Sequence, residues 1–446
     1  MEAAVTTASG ADAAGRVRRR VVVLGGGFAG INAAMALARL PVDVTLVDRK
    51  NYHTFQPLLY QVALAVLSPA DIAQPIRSIL RDHSNIEVLM DEAVGFDLEL
   101  HHVHLKTGAL LVYDYLIVAT GSTHSYFGHE DWAKLAPGLK TVEDATEIRR
   151  RVLLAFELAE RQMLEKGTHP PLKFVIVGGG PTGVELAGAI SDIARLYMRN
   201  NFRHIDTKQA KVLILEGSPH ILGMYPEDLQ QKARKQLEAL RVELRTGTVV
   251  TDVQPGYVMV GEERIEALVT LWAAGVQASP LGKLLGVETD KKGCVMVDEH
   301  LNPKGHPEVF VCGDLAHVEQ DGRQLPGVAQ PAIQMGTYAA RQIGCLVGQE
   351  AGSEGRAVKG FRYFDKGDMA TIGRKAAVAK IEWPFKAHWS GFMAWLAWLM
   401  VHIFFLIGFR NRLGVFSQWA WTYLTLRDGA RLITGPQDLP GWNDND

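Results

Sequence analysis

The sequence predicts an α/β protein built from one unit used twice, the second copy inserted in the first, with an apolar helical region after them. Three observations predict it. A strand, a glycine-rich turn and a helix occur near residue 25 and again near residue 178. Each copy ends on a short apolar strand that runs into a small-residue turn. Residues 389–409 contain no Asp, Glu, Lys or Arg. The spacing from Gly25 to Gly121 equals that from Gly178 to Gly275 to within one residue, which argues for duplication rather than chance.

Composition bounds the reading. At 446 residues and 47% hydrophobic, the chain can bury a large core, and its length suits about three units. With 47 Lys+Arg against 49 Asp+Glu, the formal charge of -2 argues against a nucleic-acid binder that works by bulk positive charge. Cys294, Cys312 and Cys345 form no C-x-x-C pair, so neither a disulfide framework nor a Cys-rich zinc site follows, and a reducing compartment is expected. Residues 1–17 read as a flexible leader, and the apolar run after Arg18, Arg19 and Arg20 is too short for an export signal.

Residues 21–24 are continuous and β-branched, as a buried parallel strand requires. Gly25-Gly26-Gly27-Phe28-Ala29-Gly30 follows, then an Ala/Leu-rich helix over 31–40, stopped by Pro41. A second strand over 44–47 is closed by Asp48 and Arg49. This is the order of a Rossmann-like dinucleotide-binding domain. Gly25 makes the tight turn, Gly27 admits a pyrophosphate, and Gly30 lets helix and strand pack closely. The helix start offers N–H groups to phosphate, and an acid about 20 residues on accepts ribose hydroxyls. The unit closes on a strand over 115–118 and Ala119-Thr120-Gly121.

The second copy repeats this with a strand over 174–177, then Gly178-Gly179-Gly180-Pro181-Thr182-Gly183 and a helix from Val184. A strand over 212–215 ends at Glu216, and the closing strand over 269–272 runs into Ala273-Ala274-Gly275. Glu216 favours a ribose hydroxyl over a 2′-phosphate, hence NADH over NADPH. A third strand over 309–311 leads into Cys312-Gly313-Asp314, where a glycine permits close approach and a carboxylate can accept a sugar-chain hydroxyl. His101-His102-Val103-His104 lies in an alternating stretch that reads as a surface strand, and no metal site is expected there.

The paired turns, with Ala119-Thr120-Gly121 and Cys312-Gly313-Asp314, resemble the two-dinucleotide-binding flavoproteins. Within these, N-Y-H-T-F-Q-P-L-L-Y-Q-V-A over 51–63 resembles the type II NADH:quinone oxidoreductases. So does Ala329-Gln330-Pro331-Ala332-Ile333-Gln334, which is similar to their A-Q-x-A-x-Q quinone-site motif, and Asp365-Lys366-Gly367 with Ile372-Gly373-Arg374. The resemblance implies FAD on the first unit, NADH on the second, and hydride transfer to the flavin followed by two-electron reduction of a membrane quinone. It implies an FAD site of Gly25, Gly27, Phe28, Ala29, Gly30, Asp48, Arg49, Ala119, Thr120, Gly121, Gly313, Asp314, Ala329 and Gln330. It implies an NADH site of Gly178, Gly180, Pro181, Thr182, Gly183, Glu185, Glu216, Ala274 and Gly275.

With no Cys before Cys294, a thiol relay beside the flavin is not expected, and the flavin must pass electrons directly onward. Gln330 and Gln334 stand four apart and share one helix face. Read alone they are a solvated polar face; the resemblance makes them donors to a quinone carbonyl or to the flavin. Glu185, in the first helical turn, is either an acid favoured by the helix dipole or, as the family implies, a carboxylate near the nicotinamide that serves the proton traffic. Lys366 is either a surface lysine or a cation beside the isoalloxazine.

The stretch over 389–409 approaches the ~20 residues a spanning helix needs. It reads as a spanning helix, a core helix or a helix lying in one leaflet. Lys386, Arg410 and Arg412 flank it, and Phe416, Trp419, Trp421, Tyr423 and Leu424 follow with Arg427 and Arg431. Aromatic and basic residues together favour the interface, so a monotopic protein on the cytoplasmic face is expected, as a homodimer. No bundle of membrane helices with buried acids exists for proton pumping. The expected organisation is a leader over 1–17, an FAD domain over 18–142 and 297–350, an NADH domain over 143–296, and a membrane-anchoring region over 351–446.

Overall fold

The computed structural model describes residues 17–169, 171–350, 359–425 and 430–442. Most of the expected leader, Arg427, and the side chains of Arg410, Tyr423 and Leu424 lie outside the described residues. The chain divides into two compact units, one of residues 1–53, 74–123 and 276–365, the other of 54–73, 124–275 and 366–446. The α/β class is the one expected.

The first unit carries a five-stranded sheet in the order Val309–Val311, Tyr115–Val118, Arg19–Leu24, Val42–Asp48, Ile86–Met90. Its pairings are parallel, with Val23 opposite both Leu46 and Ile117, and Phe310 opposite Ile117. Val21, Val23, Leu46, Leu116, Ile117 and Phe310 are fully buried, which is why these strands read as unbroken apolar runs. Helix Phe28–Leu37 starts three residues before the expected position and packs on helix Ala329–Glu350. The two backbones meet at Gly336, where a Cβ would stand 2.1 Å from Ala29 O.

The second unit has a four-stranded parallel sheet in the order Val242–Thr246, Lys211–Glu216, Lys173–Val177, Val269–Trp272. Helix Pro181–Asp192 follows its glycine turn, and helix Val142–Lys166 is capped by Thr141 and Asp144 in a reciprocal box. A three-stranded antiparallel sheet, Gly367–Thr371, Ala377–Ile381 and Ala387–Ser390, precedes the last two helices.

The apolar stretch over 389–409 is not one helix. It begins in strand Ala387–Ser390 and turns at Gly391, whose φ is +70°. Helix Phe392–Phe405 follows, 14 residues long, and Gly408 at φ +86° sets off helix Phe409–Thr425. At ~1.5 Å per residue the first of these falls well short of a ~30 Å hydrocarbon core. Among the described residues no helix is long and apolar enough to cross a membrane.

Candidate functional site

The two glycine turns reproduce each other bond for bond. Gly25 has φ +101° and donates to Val47 O at 2.8 Å; Gly178 has φ +109° and donates to Leu215 O at 2.8 Å. A Cβ on Gly25 would lie 2.4 Å from Ala119 O, and one on Gly178 2.4 Å from Ala273 O. On Gly30 it would lie 1.8 Å from Gly25 O, and on Gly183 1.9 Å from Gly178 O. No side chain fits at these four positions, so the chain itself demands glycine there.

Gly27 and Gly180 differ from the other four. Nothing lies within 4 Å of the Cβ either would carry. These two glycines are not needed to relieve a clash of a Cβ with the protein; they leave open the space before a helix N-terminus, a kind of position suited to a phosphate. Phe28 and Ala29 form the first turn of one helix, Pro181 and Thr182 that of the other.

The two acids also correspond. Asp48 accepts from the N–H of Gly26 at 2.6 Å and of Lys50 at 2.7 Å. Glu216 accepts from the N–H of Gly179 at 2.5 Å and of Ser218 at 2.7 Å. Each carboxylate is thus fixed at the turn by its own backbone. Arg49, beside Asp48, is exposed. Ala274 packs against the cluster of Tyr126, Trp132 and Trp272, and Gly275 closes that strand end.

Around the first turn, Asp314 accepts from Ser122 Oγ at 2.6 Å, and Gly313, at φ +73°, directs its N–H to Met335 Sδ at 3.2 Å. Thr120 Oγ1 is buried with no hydrogen-bond partner among the described residues. A buried hydroxyl left unsatisfied costs about 1–3 kcal/mol, so a ligand group is the natural partner. The open cradle at Gly27 and the Thr120 hydroxyl both fit a flavin dinucleotide.

Ala329 opens helix Ala329–Glu350, with Gln330 and Gln334 on its first turns. Gln334 is occupied by backbone: its Nε2 donates to Phe364 O at 3.0 Å, and its Oε1 accepts from Phe364 N–H at 2.9 Å. Gln320 treats the preceding residue alike, donating to Tyr363 O at 3.2 Å and accepting from Tyr363 N–H at 2.8 Å. Two side-chain amides therefore hold the segment that leads to Lys366. Lys366 Nζ lies 5.5 Å from the centre of the Phe405 ring.

Glu185 stands one turn deeper than expected. Helix Pro181–Asp192 has no acid in its first turn, so the dipole reading of Glu185 loses its basis. Burial pushes its carboxyl up to about 8, against the pull of the Thr371 N–H, which donates to Oε1 at 3.4 Å. Thr371 Oγ1 donates to Tyr60 Oη at 2.9 Å, Gln61 Nε2 donates to the same oxygen at 3.0 Å, and Trp419 Nε1 donates to Gln61 Oε1 at 2.6 Å. A cavity beside this chain is lined by Tyr60, Gln61, Asp192, Arg374, Trp398 and Trp419, among others. Burial, then the Glu185 charge, raises the Tyr60 phenol above its usual range.

Sequence reasoning did not single out Tyr60, Gln61, Thr371 or Gln320. Tyr60 and Gln61 lie inside the quoted 51–63 motif, a signal that pointed to the segment but not to its atoms. Thr371 and Gln320 have no local signal. The three cysteines are free thiols; burial pushes Cys294 up to about 11 and raises Cys312 further, which disfavours the thiolate a redox relay needs.

Residues 19–336 match the pyridine nucleotide-disulphide oxidoreductase family, and residues 366–428 the NDH2 C-terminal domain. The chain is 42% identical to the type II NADH:quinone oxidoreductase NdhA of Mycobacterium tuberculosis, covering 96% of this chain and 92% of the relative. It is equally 42% identical to Ndh of the same organism, over 94% and 91% of the two chains. Its fold is similar to that of NDH2 from Plasmodium falciparum, solved in complex with NADH, with a TM-score of 0.80 at 20% identity, over 94% of this chain and 100% of that one.

Proposed function

The chain belongs to the type II NADH:quinone oxidoreductases, within the pyridine nucleotide-disulphide oxidoreductase family, and from that premise we propose how its own residues run the reaction. It is a membrane-associated respiratory NADH dehydrogenase that oxidises NADH through a bound flavin and reduces a membrane quinone to quinol without pumping protons.

The flavin is FAD, held on the first unit. Gly25, Gly27, Phe28, Ala29 and Gly30 receive its pyrophosphate, with Asp48 and Arg49 at the adenosine ribose. Ala119, Thr120, Gly121, Gly313 and Asp314 take the linking sugar chain, and Ala329 and Gln330 lie toward the ring. On the second unit Gly178, Gly180, Pro181, Thr182 and Gly183 receive the NADH pyrophosphate, Glu216 the adenosine ribose, and Ala274 and Gly275 the far half of the dinucleotide. The observation that carries this reading is the pair of open glycines, Gly27 and Gly180, each set in a turn whose other glycines are packed shut.

Glu185 holds a proton at neutral pH, because burial makes its anion costly, and it supplies that proton toward the quinone. Tyr60 and Thr371 hold Glu185 and the cavity wall in place. Lys366 places a cation where negative charge develops, and Gln334 acts on it by fixing Phe364. The protein works at the cytoplasmic membrane face, where NADH is available and free thiols persist, as a homodimer.

The test is a pair of substitutions. The Cβ that Gly27→Val or Gly180→Val adds has no protein atom within 4 Å, so both variants are expected to fold, Gly27→Val with the melting behaviour of the flavin-free parent. Gly27→Val is isolated without flavin. Gly180→Val keeps its flavin absorbance but raises the KM for NADH by about tenfold or more, a loss of ~1.4 kcal/mol. A Gly180→Val enzyme with unchanged KM for NADH overturns the assignment of the second turn.

A further inference from the structure

A hairpin projects between strand Ala377–Ile381 and strand Ala387–Ser390. Its tip carries Trp383 and Phe385, two residues apart, 56% and 54% exposed. A single exposed ring is ordinary; a contiguous apolar patch marks an interaction site. The tip's one acid, Glu382, is paired with Lys380 at 3.0 Å and with Lys386 at 3.6 Å, and the Lys386 side chain is itself 85% exposed. The tip therefore presents two aromatic rings beside an exposed lysine, and with Lys380 at its base the two lysines outnumber the one acid.

The aromatic surface continues from the hairpin into the helix after it. Phe385 lies 6.2 Å from Trp389, ring centre to ring centre, and Phe392 lies 5.7 Å from Trp395. Trp389 and Trp395 pack against one cluster of buried residues, Ala377, Ala379, Ile381 and Ala394. Helix Phe392–Phe405 carries the surface onward through exposed Met393, Leu396, Met400 and Phe404, which recur at helical spacing on one side, while Ala394 and Trp398 are buried on the other.

From this continuity we infer that the 382–386 hairpin tip is a second membrane-inserting element. Trp383 and Phe385 enter the headgroup region of the same leaflet as helix Phe392–Phe405, and Lys386 meets anionic lipid. The inference rests on the reading of that helix as membrane-bound. The chemistry selects a bilayer: Trp and Phe beside Lys suit an apolar boundary with anionic headgroups.

The experiment uses full-length protein with Cys345→Ser and one added cysteine carrying an environment-sensitive nitrobenzoxadiazole dye. The sites are Phe385→Cys, Phe404→Cys on the helix, and Leu100→Cys, an exposed site on the first unit. Each is mixed with vesicles of phosphatidylethanolamine and phosphatidylglycerol. The expected result is a blue shift with rising intensity at 385 and 404 and none at 100. A shift at 404 without one at 385 overturns the hairpin inference alone. No shift at either site overturns the membrane reading beneath it. A shift at 385 that appears without vesicles and grows with protein concentration assigns the tip to a second copy and also overturns the inference. In the unlabelled protein, Trp383→Ser with Phe385→Ser weakens vesicle binding by about tenfold. Turnover of a water-soluble short-chain quinone in detergent stays at the parent rate.

Discussion

At the scale of single residues, Glu185 carries the sharpest prediction. Its carboxyl is raised to about 8 by burial, so across the interval from its ordinary value of 4.5 up to about 8 the folded protein binds a proton that the unfolded chain has released. Stability therefore falls as pH rises through that interval and levels off above it. Glu185→Gln removes this slope, which chemical denaturation at several pH values reads directly. If the reaction uses the Glu185 proton, the same variant slows quinone reduction while its flavin content is unchanged, and the parent's fall in rate near pH 8 disappears. A parent slope that survives in the variant contradicts the assignment. The sequence exposed Glu185 as an acid after a glycine turn, but not its protonation. That comes from burial, created only when distant parts of the chain fold over the carboxyl: Thr371, 186 residues away along the chain, is brought to hydrogen-bond distance and pulls the other way without prevailing. The glycines were legible for the opposite reason: their constraint is local, since Gly30 must clear the carbonyl of Gly25 only five residues back.

At the scale of elements, two glutamines do what a strand would do. Gln320 and Gln334 each donate to a backbone carbonyl and accept from the same residue's N–H, on Tyr363 and Phe364 in turn. The segment before Lys366 is thereby held without belonging to a sheet. Gln334→Ala removes both hydrogen bonds to the Phe364 backbone at an exposed position where water can replace them, and is expected to cost roughly 0.5–1.5 kcal/mol. It lowers the melting temperature and slows turnover more than it raises the KM for NADH. Gln334→Glu restores the acceptor alone, so it recovers only part of the loss. The sequence placed both motif glutamines on one face of a helix. It did not show that Gln334 is committed to backbone, because its partner is brought near only by folding. The 389–409 stretch teaches the same lesson: hydropathy marks it as continuous, while Gly391 and Gly408, both at positive φ, divide it.

At the scale of the whole molecule, the two units are one design used twice, and the duplication was readable because each copy repeats its turn, its acid and its closing strand. The C-terminal residues were not readable in this way. Arg149, Arg150 and Arg151 are buried in helix Val142–Lys166, where a run of arginines suggests a solvated face. Arg150 donates to Pro436 O at 2.7 Å and Asp438 O at 2.8 Å while Glu147 accepts from its guanidinium at 2.8 Å; Arg149 donates to Ala430 O at 3.1 Å. These bonds tie the chain beyond the last helix to the unit that carries the second glycine turn. Arg150→Ala leaves Glu147 with Arg151 as its remaining partner and frees two backbone carbonyls, and is expected to cost roughly 1–3 kcal/mol. Arg245→Ala, which breaks the exposed pair with Glu263, costs about 0–1 kcal/mol. Equal losses in thermal unfolding would remove the structural role given to the C-terminal strap.

The claim on which all of this depends is that electrons pass from NADH to a bound flavin and on to quinone with no thiol between. Anaerobic stopped-flow absorbance of the detergent-purified enzyme tests it most directly. The account predicts that NADH bleaches the flavin band rapidly and that a short-chain quinone, mixed in next, restores it just as promptly, with all three thiols still free to alkylation in denaturant. A flavin that bleaches with NADH and stays reduced in excess quinone contradicts it.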